Sequence, residues 1–404
     1  MQPKRLKLFY PRRKSFSTNA FIYRLNGIDG GYSPEGTFGS VLDTEIFTAS
    51  YGQPANFVKV TNNIGVLLWL KNTGYPYLRS VSMTDGGIFA LVDEMGDSGE
   101  FGSSSMRDSY LILRSPNILL MYHGNPTAQC YLRTIGCDDN GTFDAGTIDN
   151  LLLNTASNTN YRQFLDRPHG NDIIIARPPS GAGGYSTWTA DVDSSGNIGA
   201  AYIDRMLNTY NYAGFRPSRR INETDYFVCA DFSPTLVGVA TFTCDSSGNL
   251  PASDVDSWAT GLSGTEAWGD IMTVGSDGTV VLVSEVSNYP WLRTFAVNPS
   301  TGAITKSWID TQQVSSDTGC QGVRLIKIND NKFVTLYSRT GYAFEMKSWE
   351  IEDDGTITNT PIDTTNVVSN QLGAPQMVYL KKNIWVVLGT YGTYNCALRS
   401  IEID

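Results

Sequence analysis

A glycine in a polar turn, an apolar residue one or two positions later, and an aliphatic-aspartate pair seven or eight residues after the glycine recur seven times in this chain. The glycines are Gly36, Gly86, Gly141, Gly196, Gly248, Gly302 and Gly355, and the aspartates are Asp43, Asp93, Asp149, Asp204, Asp256, Asp310 and Asp363. Successive glycines lie 50 to 55 residues apart. So regular a period marks an array whose units cannot bury their apolar faces alone and must stack on their neighbours. It overrides the two or three domains that 404 residues would otherwise suggest.

Each complete unit reads as four strands. In the first they are residues 57–60, 65–70, 77–83 and 87–93, and in the sixth 323–328, 333–337, 344–351 and 356–363. The second run is apolar throughout, as in Val66-Leu67-Leu68-Trp69 and Val280-Val281-Leu282-Val283, which fits strands covered on both faces. The third alternates and keeps one cation in register, at Arg79, Arg133, Arg293, Lys347 and Arg399. Turns such as Thr61-Asn62-Asn63 and Ser276-Asp277-Gly278 supply residues that tolerate positive φ.

The two ends complete one another. Ser33-Pro34-Glu35-Gly36 through Asp43 matches the turn and last strand of a unit, and the chain stops at Asp404 where those parts of the seventh unit should follow. Four-stranded antiparallel units repeated seven times, the last finished by a strand at about 36–43, resemble a seven-bladed β-propeller, an all-β fold in which radial repetition leaves only short sheet edges. The resemblance covers residues 33–404. It is to the architecture, because the Trp-Asp dipeptide, the sialidase box and a recurring double glycine do not occur.

Residues 1–32 form a separate basic arm. Its first 24 residues hold Lys4, Arg5, Lys7, Arg12, Arg13, Lys14 and Arg24 and no acid; with a formal net charge of −10 for the whole chain, −17 remains on the rest. Leu8, Phe9, Tyr10, Phe16 and Tyr23 interleave with the charges, so the arm is expected to dock on a partner, the bland alternative being a solvated tail. No run of eighteen apolar residues exists, so no membrane span is expected, and the basic N-terminus lacks the apolar core of a secretory signal. The six cysteines show no zinc spacing and are expected as buried thiols, a Cys229–Cys244 bridge staying open because both fall on adjacent strands.

One face of such a ring carries tight turns and the other long connections with tips rich in Tyr, Ser, Asn and Gly, a recognition composition. The partner-binding candidates are Tyr75, Tyr185, Tyr289, Tyr342, Tyr391 and Tyr394, with Tyr75, Tyr289 and Tyr391 read as exposed and Tyr77, Trp291 and Phe344 as packed between units. A residue present in every unit has one repeated structural job, so the seven aspartates are expected to accept hydrogen bonds where the outer strand ends, and the cation column is read the same way. His123 is placed in a tip and His169 in a turn on the opposite face, which gives no nucleophile-base pair. No metal ligand set, cofactor or catalytic group is expected.

The expected function is that of a non-catalytic binding and assembly protein. An arm with a repeat core rich in Thr, Asn and Ser is similar in general character to phage tail nozzle and receptor-binding propellers. That resemblance implies a virion location, attachment to other virion proteins through residues 1–24, and a host-surface glycan or protein on the loop face, with no nucleic acid partner. One alternative is a propeller hydrolase or lactonase-like enzyme, for which Arg162, Asp166, Asp270 and Arg324 are the charges available near a central channel. Another is an extracellular glycan-binding lectin; a cytoplasmic location is also open.

Overall fold

The computed structural model describes residues 35–47, 53–70, 76–96, 107–124, 130–154, 165–166, 173–176, 179–180, 184–207, 217–221, 224–232, 236–262, 269–339, 343–368, 376–381, 383–391 and 395–404. Strand β1 is Phe38–Phe47. The first unit follows as β2 (Gln53–Lys59), β3 (Ile64–Leu70), β4 (Pro76–Met83) and β5 (Phe89–Met95). Next come β6 (Arg107–Ser115), β7 (Ile118–Gly124), β8 (Cys130–Gly136) and β9 (Asp149–Asn154). The third unit is β10 (Leu165–Asp166), β11 (Ile173–Ala176), β12 (Pro179–Ser180), β13 (Gly184–Asp191) and β14 (Asp204–Leu207). The fourth is β15 (Ser218–Arg220), β16 (Tyr226–Phe232), β17 (Val237–Thr243) and β18 (Asp256–Ala259). The fifth is β19 (Gly269–Val274), β20 (Thr279–Val286), β21 (Tyr289–Ala296) and β22 (Asp310–Gln313). The sixth is β23 (Gln321–Lys327), β24 (Lys332–Arg339), β25 (Ala343–Glu350) and β26 (Asp363–Val368). Strands β27 (Gln376–Lys381), β28 (Ile384–Tyr391) and β29 (Asn395–Ile403) end the chain.

Six sheets are four-stranded, and the sheet of residues 165–207 has five strands, so the expectation of seven four-stranded units is corrected there. The extra strand has a local cause. Strand β12 pairs with β13 in the same register line that β11 began: Ala176 faces Trp188, Pro179 faces Tyr185 and Ser180 faces Gly184. Strand β12 opens on Pro179, and proline has no amide to give a ladder. At the chain ends β1 pairs antiparallel with β29, Thr44 facing Arg399 and Phe38 facing Ile403.

Neighbouring sheets meet along their first strands, β2 lying beside β6 and β27 and β19 beside β15 and β23. The chain is an all-β propeller of antiparallel blades, and its core is a set of layers between successive sheets. In one layer Val66, Leu68 and Leu78 of the first sheet pack on Leu111, Leu119 and Met121 of the second. In another Leu380, Val386 and Leu398 of the last sheet pack on Phe57, Leu67 and Val81 of the first. Second strands are therefore apolar on both faces, as their sequences require.

Two repeated hydrogen bonds tie each outer turn to the sheet before it. The aspartate Oδ2 accepts the amide two residues past the turn glycine of the following unit: Asp43 from Phe89, Asp93 from Phe143, Asp149 from Ile198, Asp204 from Leu250, Asp256 from Ile304, Asp310 from Ile357, and Asp363 from Phe38, at 2.8 to 2.9 Å. The hydroxyls of Ser80, Thr134, Thr189, Thr241, Thr294, Ser348 and Ser400 donate to the carbonyls of Gly141, Gly196, Gly248, Gly302, Gly355, Gly36 and Gly87 at 2.5 to 2.6 Å. Each of these seven turns receives one bond of each kind.

The repeated aspartate is structural, with two corrections. From the second to the sixth unit it is the first residue of the outer strand and not the last. In the first unit the turn residue with positive φ is Gly87, at +80°, and not Gly86. Glycine is needed for space as well as for φ: at Gly141, φ +90°, a Cβ would meet Ile64 Cγ2 at 3.1 Å and Ser80 Cβ at 3.3 Å. Cys229 and Cys244 are buried and not joined by a disulfide, because Cys244 lies opposite Asp225, four residues along from Cys229.

Asp310→Ala removes the acceptor for both the Ile357 and Thr311 amides, and Thr294→Val leaves the Gly355 carbonyl without its donor. Each is expected to cost about 1–3 kcal/mol in urea unfolding. If both variants unfold with the wild-type midpoint, the bonds contribute nothing to stability.

Candidate functional site

Inner strands decide whether a propeller offers reactive groups to its channel. Here they carry a second, shorter series of latches between sheets. Gln376 Oε1 accepts from the Phe57 amide at 3.0 Å, Asn56 Oδ1 from the Leu111 amide at 2.8 Å, and Asp270 Oδ2 from the Leu325 amide at 3.5 Å. Gln376, Asn56 and Asp270 occupy one register position, since each lies two residues before the residue level with the Ser/Thr latch of its own sheet. Asp270 is thus the charged member of an otherwise amide set.

A carboxylate at that position requires a cation. Arg219 on β15 gives it one, Nη2 lying 3.1 Å from Asp270 Oδ1. The Ile271 amide donates to the same oxygen at 2.9 Å. Arg219 is held from its other side, Nη1 donating to the Ser218 carbonyl at 2.7 Å and Nε reaching Met272 Sδ at 3.2 Å. Arg324 on β23 donates from Nη1 to the Gly269 carbonyl at 3.3 Å. All three side chains are buried. Burial pushes the Asp270 carboxyl above its usual range, against the pull of Arg219 and Arg324. The set of Arg162, Asp166, Asp270 and Arg324 is therefore only partly assembled. Asp270 and Arg324 come together, Arg162 lies outside the described residues, and so does the side chain of Asp166. Arg219 was missed because it sits two residues out of register, level with Met272.

A second buried polar group lies between the fifth and sixth sheets. Tyr337 Oη donates to Glu345 Oε1, and Lys347 Nζ lies 3.1 Å from that oxygen and donates to the Val314 carbonyl at 2.7 Å. Burial, followed by Glu285, Asp317 and Glu345, pushes the nearby Cys320 thiol up to about 12, so it is a thiol and not a nucleophilic thiolate at neutral pH. Glu285 and Tyr337 carry no repeat signal, and nothing in the chain order pointed to them.

The cation column is structural, as expected. Arg79 lies over Trp69 at 5.2 Å, Arg133 over Tyr131 at 5.3 Å, and Arg293 over Trp291 and Trp308 at 5.1 and 5.7 Å. Burial takes the Arg293 guanidinium down to about 10.

Of the loop-face tyrosines, Tyr289 opens β21 opposite Val286 and is half-buried, short of the exposure expected. Tyr185 lies in β13 and Tyr391 ends β28, while their side chains, with Tyr75, Tyr342 and Tyr394, lie outside the described residues. So do the arm residues Lys4, Arg5, Lys7, Arg12, Arg13, Lys14 and Arg24, and His169. Phe344 is fully buried, Tyr77 packs at the first-sheet layer, and Trp291 is half-buried. His123 is not in a tip; it is a buried residue of β7. Among the described residues no group of three or more His, Cys, Asp or Glu is placed to hold a metal, and no helix is long and apolar enough to cross a membrane.

Arg219→Met leaves Asp270 without its ion-pair partner and is expected to cost about 3–5 kcal/mol, as is Asp270→Leu for the opposite reason. The double variant should lose clearly less than the sum of the two, measured as a coupling energy in a urea-unfolding cycle. Additive losses would mean that the pair is not coupled.

No protein-family model matches the sequence, and neither does any curated protein. Solved structures do share its fold. A periplasmic gluconolactonase of Pseudomonas aeruginosa aligns over 88% of this chain and 97% of its own at 10% identity, with a TM-score of 0.52. Drosophila Plexin A, solved in complex with Semaphorin 1b, aligns over 91% and 88% at 10% identity and 0.51. Sqt1 from Chaetomium thermophilum aligns over 91% and 100% at 8% identity and 0.51. Identities this low place the chain among β-propellers by fold alone.

Proposed function

We propose that the chain is a non-catalytic binding and assembly protein: a propeller that presents its loop face to a protein or glycan and is anchored by its basic arm, in the manner of a tail-associated phage virion protein. The observation that carries the non-catalytic reading is how the inner carboxylate is used. Both oxygens of Asp270 are committed, to Arg219, the Ile271 amide and the Leu325 amide, and a base must be within reach of the proton it takes. The repeated aspartates are likewise committed to backbone amides. The gluconolactonase likeness is one of fold, and at 10% identity it does not favour an enzyme.

The finer architecture we infer is a ring of seven blades, closed where β1 completes the sheet of β27, β28 and β29. Two points support it: β12 continues the register of β11, which returns the five-stranded sheet to four, and the aspartate and hydroxyl latches run through seven steps and come back to their start. Deleting residues 1–47 removes β1 with Gly36 and Asp43 and is expected to cause aggregation or a large fall in melting temperature. An unchanged melting temperature overturns the closure.

Deleting only residues 1–24 leaves β1 in place, so the truncated chain is expected to keep its melting temperature while losing attachment to assembled particles. Sedimentation of particles with full-length and truncated protein reads this directly. Attachment of the full chain should weaken as salt rises, because exposed charges are screened beyond roughly 8 Å at physiological ionic strength. Equal incorporation of both chains overturns the docking role.

A further inference from the structure

The chain has two histidines, and one is held in a setting that suits only its neutral form. His123 on β7 is 1% exposed. Among the described residues neither ring nitrogen has a hydrogen-bond partner, although a buried imidazole ordinarily finds one. The ring stacks on Tyr131 of β8, centroids 5.2 Å apart and planes 23° from parallel.

Alternation along β7 puts His123 on the same face as Leu119 and Met121, which is the face packed on the first sheet. Among the described residues, what meets that face is apolar: Val58 of β2, Val66 and Leu68 of β3, Leu78 of β4 and Met95 of β5, together with Leu111 of β6. Asn56 of β2 is engaged, its Oδ1 accepting from Leu111. Among the described residues the titratable groups at this layer are Tyr131 and Arg133 of β8 and Cys137 beyond the far end of β8, with Asp93 of β5 and Asp138, Asp139 and Asp144 acting on Cys137 at that far end. Arg133 brings positive charge beside the ring, and no carboxylate among the described residues acts on His123 to balance it. Burial first, and Arg133 second, hold the imidazole well below its ordinary range.

We propose that His123 is an acid-sensitive latch between the first and second sheets: its neutral ring lets the layer close, and uptake of a proton parts the loop-side ends of the two sheets. A closed state that refuses the proton and an open state that accepts it are linked with a definite sign. The opening is unaffected well above the ordinary histidine value of about 6.5, and below it each pH unit favours the open state about tenfold until the closed form titrates. Between about pH 7 and about pH 5 the open population should therefore rise on the order of thirtyfold. The loop face would then change its geometry under mild acid, whatever it binds.

The test is amide hydrogen exchange of β6, β7 and β8 in the full chain at about pH 7 and about pH 5, corrected for intrinsic exchange, with His123→Phe and His123→Leu beside the wild type. Wild-type protection in these strands should fall on the order of thirtyfold, with β19 to β26 unchanged, and either variant that folds should show no such fall. Equal loss of protection in wild type and variant overturns the proposal. A second readout needs no variant to fold: the imidazole carbon-proton signals are followed by NMR over the same range. A buried, protected ring that titrates near the ordinary value without loss of strand protection also overturns it.

Discussion

The bond on which the rest of the ring depends is the aspartate carboxylate reaching across to an amide of the next turn. A propeller has no continuous core: each layer is shared by two sheets, and the apolar effect that closes a layer is non-directional. Valine on valine would tolerate a slide of one sheet along its neighbour. The carboxylate does not, because its Oδ2 meets one amide at 2.8 to 2.9 Å while its Oδ1 is fixed by the amide of the following residue, as Asp310 is by Thr311. The hydroxyl of Thr294 ties the same pair together, accepting from the Asp310 amide at 3.2 Å while donating to Gly355. Register between sheets is thus set by hydrogen bonds at the rim, and the layers fill in behind it.

The inner rim solves the same problem with Asn56, Gln376 and Asp270, each accepting from a neighbour's amide. A neutral amide does this without further support, whereas a buried carboxylate brings a desolvation cost that a cation must offset. This accounts for the local concentration of Arg219, Asp270 and Arg324 on three successive inner strands without assigning them any chemistry. The stacked arginines on the third strands follow a related rule. Their guanidinium planes cover Trp69, Tyr131 and Trp291 and put positive charge near the ends of the layers. Where the second strand supplies His123 beside such an arginine, the layer acquires a group whose charge depends on pH.

Much of this was legible in the chain because a repeat is read by comparison with itself. Seven glycines and seven aspartates at one spacing announced units, and the apolar second runs announced strands covered on both faces. The structural role of the aspartates and of the cation column followed from their recurrence. Details that break the repeat were read less well. Gly86 and Gly87 are adjacent, and only the backbone shows that the second carries the positive φ. Strand β12, which opens on Pro179 in the register of β11, is an extra strand that the other sheets lack.

By itself the sequence determined that the chain is an array of antiparallel strand units and the order of the strands within a unit, because these follow from periodicity and from which faces must be buried. Only the tertiary structure decided which side chains share a layer. Arg219 and Asp270 are 51 residues apart and in different registers, and His123 looks like a tip residue until its strand is seen to continue through Gly124. Contacts between sheets depend on how two surfaces with separate registers are brought level, and the bonds that level them span roughly fifty residues of chain. No local pattern encodes that distance, so pairs across a layer become visible only once the sheets are stacked.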